Sequence, residues 1–183
     1  MAKDNTENKL VAERRRKLEE LRGQGFAFPN QYRRTALAGQ LHQLYDDYSN
    51  ETLEEDAVEV QVGGRLMTKR VMGKASFATI QDRTGRIQLF LQRDSLPEGR
   101  YQSFKSWDMG DIIWGKGQLF RTKTGELSVR VDEVELLTKS LQPLPEKYHG
   151  LSDQETRYRQ RYVDLIMSAE SREVFRRRSQ VVQ

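Results

Sequence analysis

Between residues 57 and 140, apolar and polar side chains alternate with a period of two, broken by short turns, which predicts strands. Ser76 to Gln81 and Arg86 to Leu91 make the clearest pair, joined by the polar turn Asp82-Arg83-Thr84-Gly85. Alternation places Ala78, Ile80, Ile87, Leu89 and Leu91 on one side as core, and Phe77, Thr79, Gln88 and Phe90 on the other. A four-residue loop sets Gln81 opposite Arg86, Thr79 opposite Gln88 and Phe77 opposite Phe90. Two rings, an amide and an arginine then share the outer face. Rings stack on unpaired bases, and Gln and Arg hydrogen-bond base edges. The hairpin alone leaves a second reading equally open, in which the rings pack under a loop or another domain.

The same alternation extends to both sides. Val58, Val60 and Val62 begin a long first strand, bent at Gly63-Gly64 and continuing from Arg65 to Met72, as suits a small barrel. Pro97 to Trp107 predicts a short helical connection. Asp111 to Arg121 is a fourth strand, Thr122-Lys123-Thr124-Gly125 a turn, and Leu127, Val129 and Val131 begin a fifth strand running toward Leu137. Five strands with a helix between the third and fourth match the order of an OB-fold. In that fold, oligonucleotides bind the face of strands two and three and the loops joining strands one to two and four to five. The Phe77 face lies on strands two and three, Gly73-Lys74 on the first loop, and Lys123 to Glu126 on the second.

The flanks carry a helical pattern. Lys9 to Arg22 is a helix with a broken apolar stripe (Leu10, Val11, Leu18, Leu21), stopped by Gly23 and Gly25. Its basic run Arg14-Arg15-Arg16-Lys17 reads first as a solvated face and second as an RNA contact. Phe26 to Asn30 is extended, Thr35 to Tyr48 a second helix starting near Thr35, and Ser49 to Asp56 an acidic linker. Ser152 to Met167 is read as one helix, with Ser152 as N-cap, Glu155 three residues later, and an apolar side of Tyr158, Tyr162, Leu165 and Ile166. A last helix starts at Ser171. The chain stops inside it without a cap, which is the expectation of a fragment. The expected organisation is an N-terminal helical extension and linker over 1–56, the OB-fold over 57–140, and a linker with the truncated start of a further domain over 141–183.

Composition narrows the function classes. Of 183 residues, 36% are hydrophobic and 32% charged, which describes a soluble, highly charged chain. No apolar run approaches a membrane helix or a signal peptide. Cysteine is absent, so disulfides, thiolate chemistry and cysteine–zinc sites are excluded, and a reducing cytoplasm fits. His42 and His149 lie far apart in sequence, and both read as structural or exposed rather than as metal ligands. No phosphate-binding glycine loop, nucleophile–base pair or carboxylate cluster stands out, so no catalytic residue is assigned. Residues 57–140 hold 14 Lys and Arg against 10 Asp and Glu, so the basic excess coincides with the strands and permits a polyanionic partner.

One stretch, Lys147 to Ile166 with its run Arg157-Tyr158-Arg159-Gln160-Arg161-Tyr162, closely resembles the link that follows the anticodon-binding domain of class II lysyl-tRNA synthetases. Gly25 to Asn30, Met72 to Phe77, Gly85 to Gln88 and Thr122 to Leu127 add to the resemblance, which covers roughly residues 9–183. The aspartyl and asparaginyl synthetases share the fold, but the Arg157 to Tyr162 run and the Thr122 to Glu126 turn look lysyl.

The resemblance implies a role in binding the uridine-rich anticodon stem-loop of a lysine tRNA. The residue matching Phe77 stacks on the central base, Gln88 hydrogen-bonds it, and Arg70 and Glu126 help read its neighbours. Arg65, Lys74, Phe90 and Lys123 are weaker candidates for RNA contact. The complete enzyme uses ATP and Mg2+ to activate lysine and works as a cytoplasmic homodimer. Glu173 to Gln183 looks like the start of the dimer-forming helix of its catalytic domain, and the later ATP-binding motifs are absent from this sequence. The chain as given is therefore expected to need no cofactor and to carry recognition without catalysis. The alternative is a stand-alone OB module that binds single strands generally or scaffolds other proteins.

Overall fold

The alternating segments form five strands: β1 (Glu59–Met72), β2 (Ala75–Gln81), β3 (Arg86–Gln92), β4 (Ile112–Arg121) and β5 (Leu127–Thr138). The computed structural model describes residues 2–25, 28–145 and 153–183, with residues 2–8 described by their backbone alone. The strands close into a barrel in the order β1-β2-β3-β5-β4, with β4 returning to β1. All neighbours are antiparallel except β3 and β5, which run parallel. This is the OB-fold expected from the strand order. The β2–β3 register is also as read, with Phe77 opposite Phe90, Thr79 opposite Gln88 and Gln81 opposite Arg86.

The inward side chains are aliphatic. Val62, Leu66, Ala78, Ile80, Ile87, Leu89, Leu91, Ile113, Leu119, Leu127, Val129 and Val131 are all buried. Where strands cross closely, glycine is required. A Cβ on Gly64 would stand 2.7 Å from the Gln81 carbonyl oxygen, and one on Gly117 1.9 Å from that of Arg130. The helix α4 (Arg100–Ser106) lies between β3 and β4 in the chain, and its Phe104 is fully buried in the core beside Trp107. Lys69 reaches the end of this helix. Its ammonium donates to the carbonyls of Lys105 and Trp107, where a cation complements the helix C-terminus.

Three helices precede the barrel: α1 (Ala2–Gly23), α2 (Ala38–Tyr45) and α3 (Asn50–Asp56). Arg14 and Lys17 of the basic run on α1 point into the protein. Arg14 donates to the carbonyls of Met109, Ser140 and Gln142, and Lys17 meets Asp108 at 2.9 Å. Asp108 in turn contacts the buried Lys139, which also binds the fully buried Asp111 at 2.8 Å. A buried ammonium between two carboxylates satisfies the rule that buried charge must be paired.

The helix expected from Thr35 begins three residues later. The Thr35 hydroxyl accepts from the backbone of Gln61 on β1, which holds this segment extended. The first N–H groups of α2 are capped from the hairpin instead: Asp82 Oδ2 accepts from Ala38 N at 2.7 Å, and Thr84 Oγ1 from Gly39 N at 2.9 Å. His42 serves the same junction, bridging Asp46 and the Arg86 carbonyl.

The segment Ser49 to Asp56, expected as a linker, is the helix α3. Ser49 Oγ caps it by accepting from Thr52 N, and its one large apolar residue, Leu53, is fully buried. One anchored leucine and a cap thus outweigh the acidic composition.

Met1–Pro143 form one unit and Leu144–Gln183 a second. The second contains α5 (Gln154–Arg159), α6 (Arg161–Met167) and α7 (Ala169–Val182). The single helix expected over 152–167 is broken at Gln160, around which Arg157 and Arg161 converge on the buried Asp164. Asp153 caps α5 by accepting from Thr156 N. Ser152, expected in that role, lies outside the described residues, as do His149 and residues 26–27 of the extended segment. Tyr158 and Tyr162, read as an apolar side, are exposed, with the Arg161 guanidinium over the Tyr158 ring.

Candidate nucleic-acid interface

A single irregularity in β1 decides which of its side chains reach the outer face. Strict alternation from Val60, Val62 and Leu66 would turn Thr68 and Arg70 into the core. A bulge between Leu66 and Thr68 adds one residue, so that Leu66 and Met67 are both buried and the alternation restarts in the opposite phase. Thr68 and Arg70 then face outward.

Two lines of side chains cross the barrel as a result. In the first, Arg70 pairs with Phe77, Phe77 with Phe90, and Phe90 with Arg130. In the second, Thr68 pairs with Thr79, Thr79 with Gln88, Gln88 with Ser128, and Ser128 with Phe120. The rings form a continuous strip. Phe77 and Phe90 have centroids 4.9 Å apart, and Phe90 and Phe120 5.7 Å. The Arg130 guanidinium stands 4.9 Å over Phe120. Thr68 and Thr79 share a hydroxyl hydrogen bond of 2.9 Å.

These residues line an open trough of about 630 Å³, within the size range of ligand sites. Of the sequence candidates, Arg70, Phe77, Gln88, Phe90 and Lys123 line it. Arg65, Lys74 and Glu126 are not among its lining residues. Arg65 Nη1 instead donates to the Gly110 carbonyl at 2.8 Å, and burial lowers the pKa of its guanidinium. Lys74 is exposed on the β1–β2 turn. Glu126 is exposed at the end of the β4–β5 turn that carries Lys123.

That turn is held from several sides. Thr122 Oγ1 accepts from Glu126 N, and Gly125, at φ 83°, closes the turn on the Thr122 carbonyl. The preceding Arg121 donates to the carbonyls of Tyr45, Asp46, Tyr48 and Gly125, tying the end of α2 to the turn. The helical extension therefore supports the position of Lys123.

Gln88 Nε2 donates to Ser128 Oγ at 2.9 Å, which leaves its carbonyl oxygen for the trough. Arg70 and Lys123 bring positive charge to the lining, and no carboxylate lines it. Stacking surfaces, an amide and two cations together suit a single strand with bases turned inward and phosphates near the cations. The residue most clearly missed from sequence is Phe120. Its signal was available, because it follows the core residue Leu119 on a strand and must face outward.

Comparisons with known proteins agree with this chemistry. Residues 60–137 match the family described as the tRNA anticodon OB-fold nucleic acid binding domain. The chain is 62% identical over 177 residues to a lysine–tRNA ligase of Thioalkalivibrio sulfidiphilus, covering 97% of this chain and 36% of that protein. It is 60% identical over 176 residues to the lysine–tRNA ligases of Methylobacillus flagellatus and Idiomarina loihiensis, covering 96% of this chain and 35% of each of them. The chain thus spans about a third of the length of these relatives.

Proposed function

We propose, because this chain belongs with the lysine–tRNA ligases over the third of their length that it spans, that its barrel binds the anticodon stem-loop of a lysine tRNA. The observation that carries this reading is the cross-strand line of Arg70, Phe77 and Phe90 beside the carbonyl of Gln88, all in one trough. In this reading Phe77 stacks on the central base of the anticodon, and Gln88 hydrogen-bonds its edge. Arg70 and Lys123 meet phosphates or neighbouring bases. Glu126, on the turn beside the trough, accepts from base N–H groups and repels misplaced phosphate.

Such an interface works by recognition. A stacked base contributes about 1–3 kcal/mol, and phosphate contacts add a salt-sensitive attraction without sequence information. Within a complete ligase, this grip would select the tRNA whose terminus receives lysine. ATP and Mg2+ would act through the part of the ligase length that this chain does not span. Among the described residues, no group of three or more metal-ligating side chains comes together. Homodimerisation and a cytoplasmic setting belong to the same proposal for the complete enzyme. No helix among the described residues is long and apolar enough to cross a membrane.

The test is a fluorescence titration with a lysine anticodon stem-loop and a copy changed only at its central uridine. Preference for the unaltered loop supports anticodon reading. Equal affinity for both loops would point instead to a general single-strand binder, and binding to neither would remove the RNA reading.

A further inference from the structure

We propose that Ser128 is a positioning residue: it fixes the orientation of the Gln88 amide and thereby makes the trough prefer uridine over cytidine at the stacked position. This deepens the anticodon reading above and rests on it.

The inference comes from the direction of a short hydrogen-bond chain. Ser128 lies opposite Gln88 across the parallel β3–β5 pair and is fully buried. Its hydroxyl has one proton. That proton is donated to the backbone carbonyl of Glu126 at 3.2 Å, an oxygen that can only accept. Toward Gln88, Ser128 Oγ therefore has only lone pairs to offer. The amide must present an N–H to it, as it does at 2.9 Å. The Gln88 oxygen is then committed to the trough as an acceptor.

A side-chain amide without such a constraint can flip and exchange its donor for its acceptor. This matters for pyrimidines, because ring N3 carries a proton in uracil and a lone pair in cytosine. A carbonyl oxygen held toward N3 accepts from uracil and meets the lone pair of cytosine. A free amide could satisfy either base. The carbonyl of a β4–β5 turn residue, relayed through one buried hydroxyl, thus chooses the base that Gln88 accepts.

The experiment measures affinities of the chain for stem-loops with uridine or cytidine at the centre, for the parent, Ser128→Ala, Gln88→Ala and the double variant. A parental preference on the order of ten-fold, about 1.4 kcal/mol, is expected. It should fall to within about two-fold in Ser128→Ala, with cytidine binding gaining relative to uridine. In the Gln88→Ala background, Ser128→Ala should leave the ratio unchanged, since its effect passes through the amide. Ser128→Thr, which keeps the hydroxyl, should hold the parental ratio.

A uridine preference that survives Ser128→Ala would overturn this proposal alone. So would an equal loss of affinity for both loops, which would mark Ser128 as merely structural. A parent with no preference would remove the anticodon reading together with it.

Discussion

Phe77 and Phe90 face each other across β2 and β3 with ring centroids 4.9 Å apart and planes inclined at 36°. Phe90 is held on its other side by Phe120, whereas Phe77 has Phe90 as its one ring neighbour among the described residues. The two phenylalanines should therefore separate in experiment. Phe77→Ala is expected to lose the stacked base, about 1–3 kcal/mol, so that stem-loop affinity falls several-fold or more. Phe90→Ala gives up two ring pairs, each worth about 0.5–1.5 kcal/mol beyond burial, and should lower the unfolding midpoint more than Phe77→Ala does. Titration and urea unfolding of both variants check this. Unchanged binding by Phe77→Ala would remove its assigned role.

Charge in the trough predicts salt dependence. Arg70→Gln and Lys123→Gln should each reduce the slope of log affinity against log salt by about 0.7, the single-strand value per neutralised phosphate. Lys74→Gln, on the β1–β2 turn and outside the trough lining, should leave the slope unchanged. Binding measured across a salt series distinguishes these outcomes.

Gly117 sits where β4 crosses β5 at a register shift, and an added Cβ would meet backbone atoms rather than a movable side chain. Gly117→Ala should therefore destabilise the barrel by roughly 1–3 kcal/mol or more, the cost of overpacking. Gly23→Ala, where a Cβ would meet nothing within 4 Å, is the control. Chemical denaturation of both variants reads the difference directly.

Acid should loosen the attachment of the helices to the barrel. Burial pushes the Asp108 carboxyl up, but hydrogen bonds and charge from Lys139 and Lys17 outweigh it, and the net shift is downward. For Asp82 burial again pushes up, while hydrogen bonds from Ala38, Thr84 and Gly85 bring the net shift down. A carboxyl with a lowered folded-state pKa contributes stability that is fully present above its unfolded value. That contribution is lost as pH falls through the folded one. Stability should accordingly decline from about pH 4 downward. Asp108→Asn should flatten that decline in urea titrations at stepped pH, and an unaltered acid limb would remove Asp108 from the account.

Much of the barrel was legible because a half-buried strand writes its burial as a period of two. Val60, Val62, Ala78, Ile80, Ile87, Leu89 and Leu91 carry that period, and the polar turn of the hairpin sets its register. The face bearing Phe77 and Gln88 followed from those facts alone. Less was legible where local pattern and long-range contact disagreed. Ser49 to Asp56 looked like a linker because its helix depends on one buried leucine. The start of α2 moved because its cap comes from Asp82 and Thr84, residues more than forty positions away.

The five strands along the chain, the core side of β2 and β3, and the chemistry of the outer hairpin face were thus set by residue pattern, which reports what each side chain does with water. The outward placement of Arg70, the strip completed by Phe120 and the direction of the Gln88 amide were set only in three dimensions. A bulge reverses alternation without any change in composition. Barrel closure brings β5 beside β3, with β4 between β5 and β1, although a helix and β4 separate β3 from β5 in the chain. Hydrogen-bond direction depends on which buried partner already holds the proton.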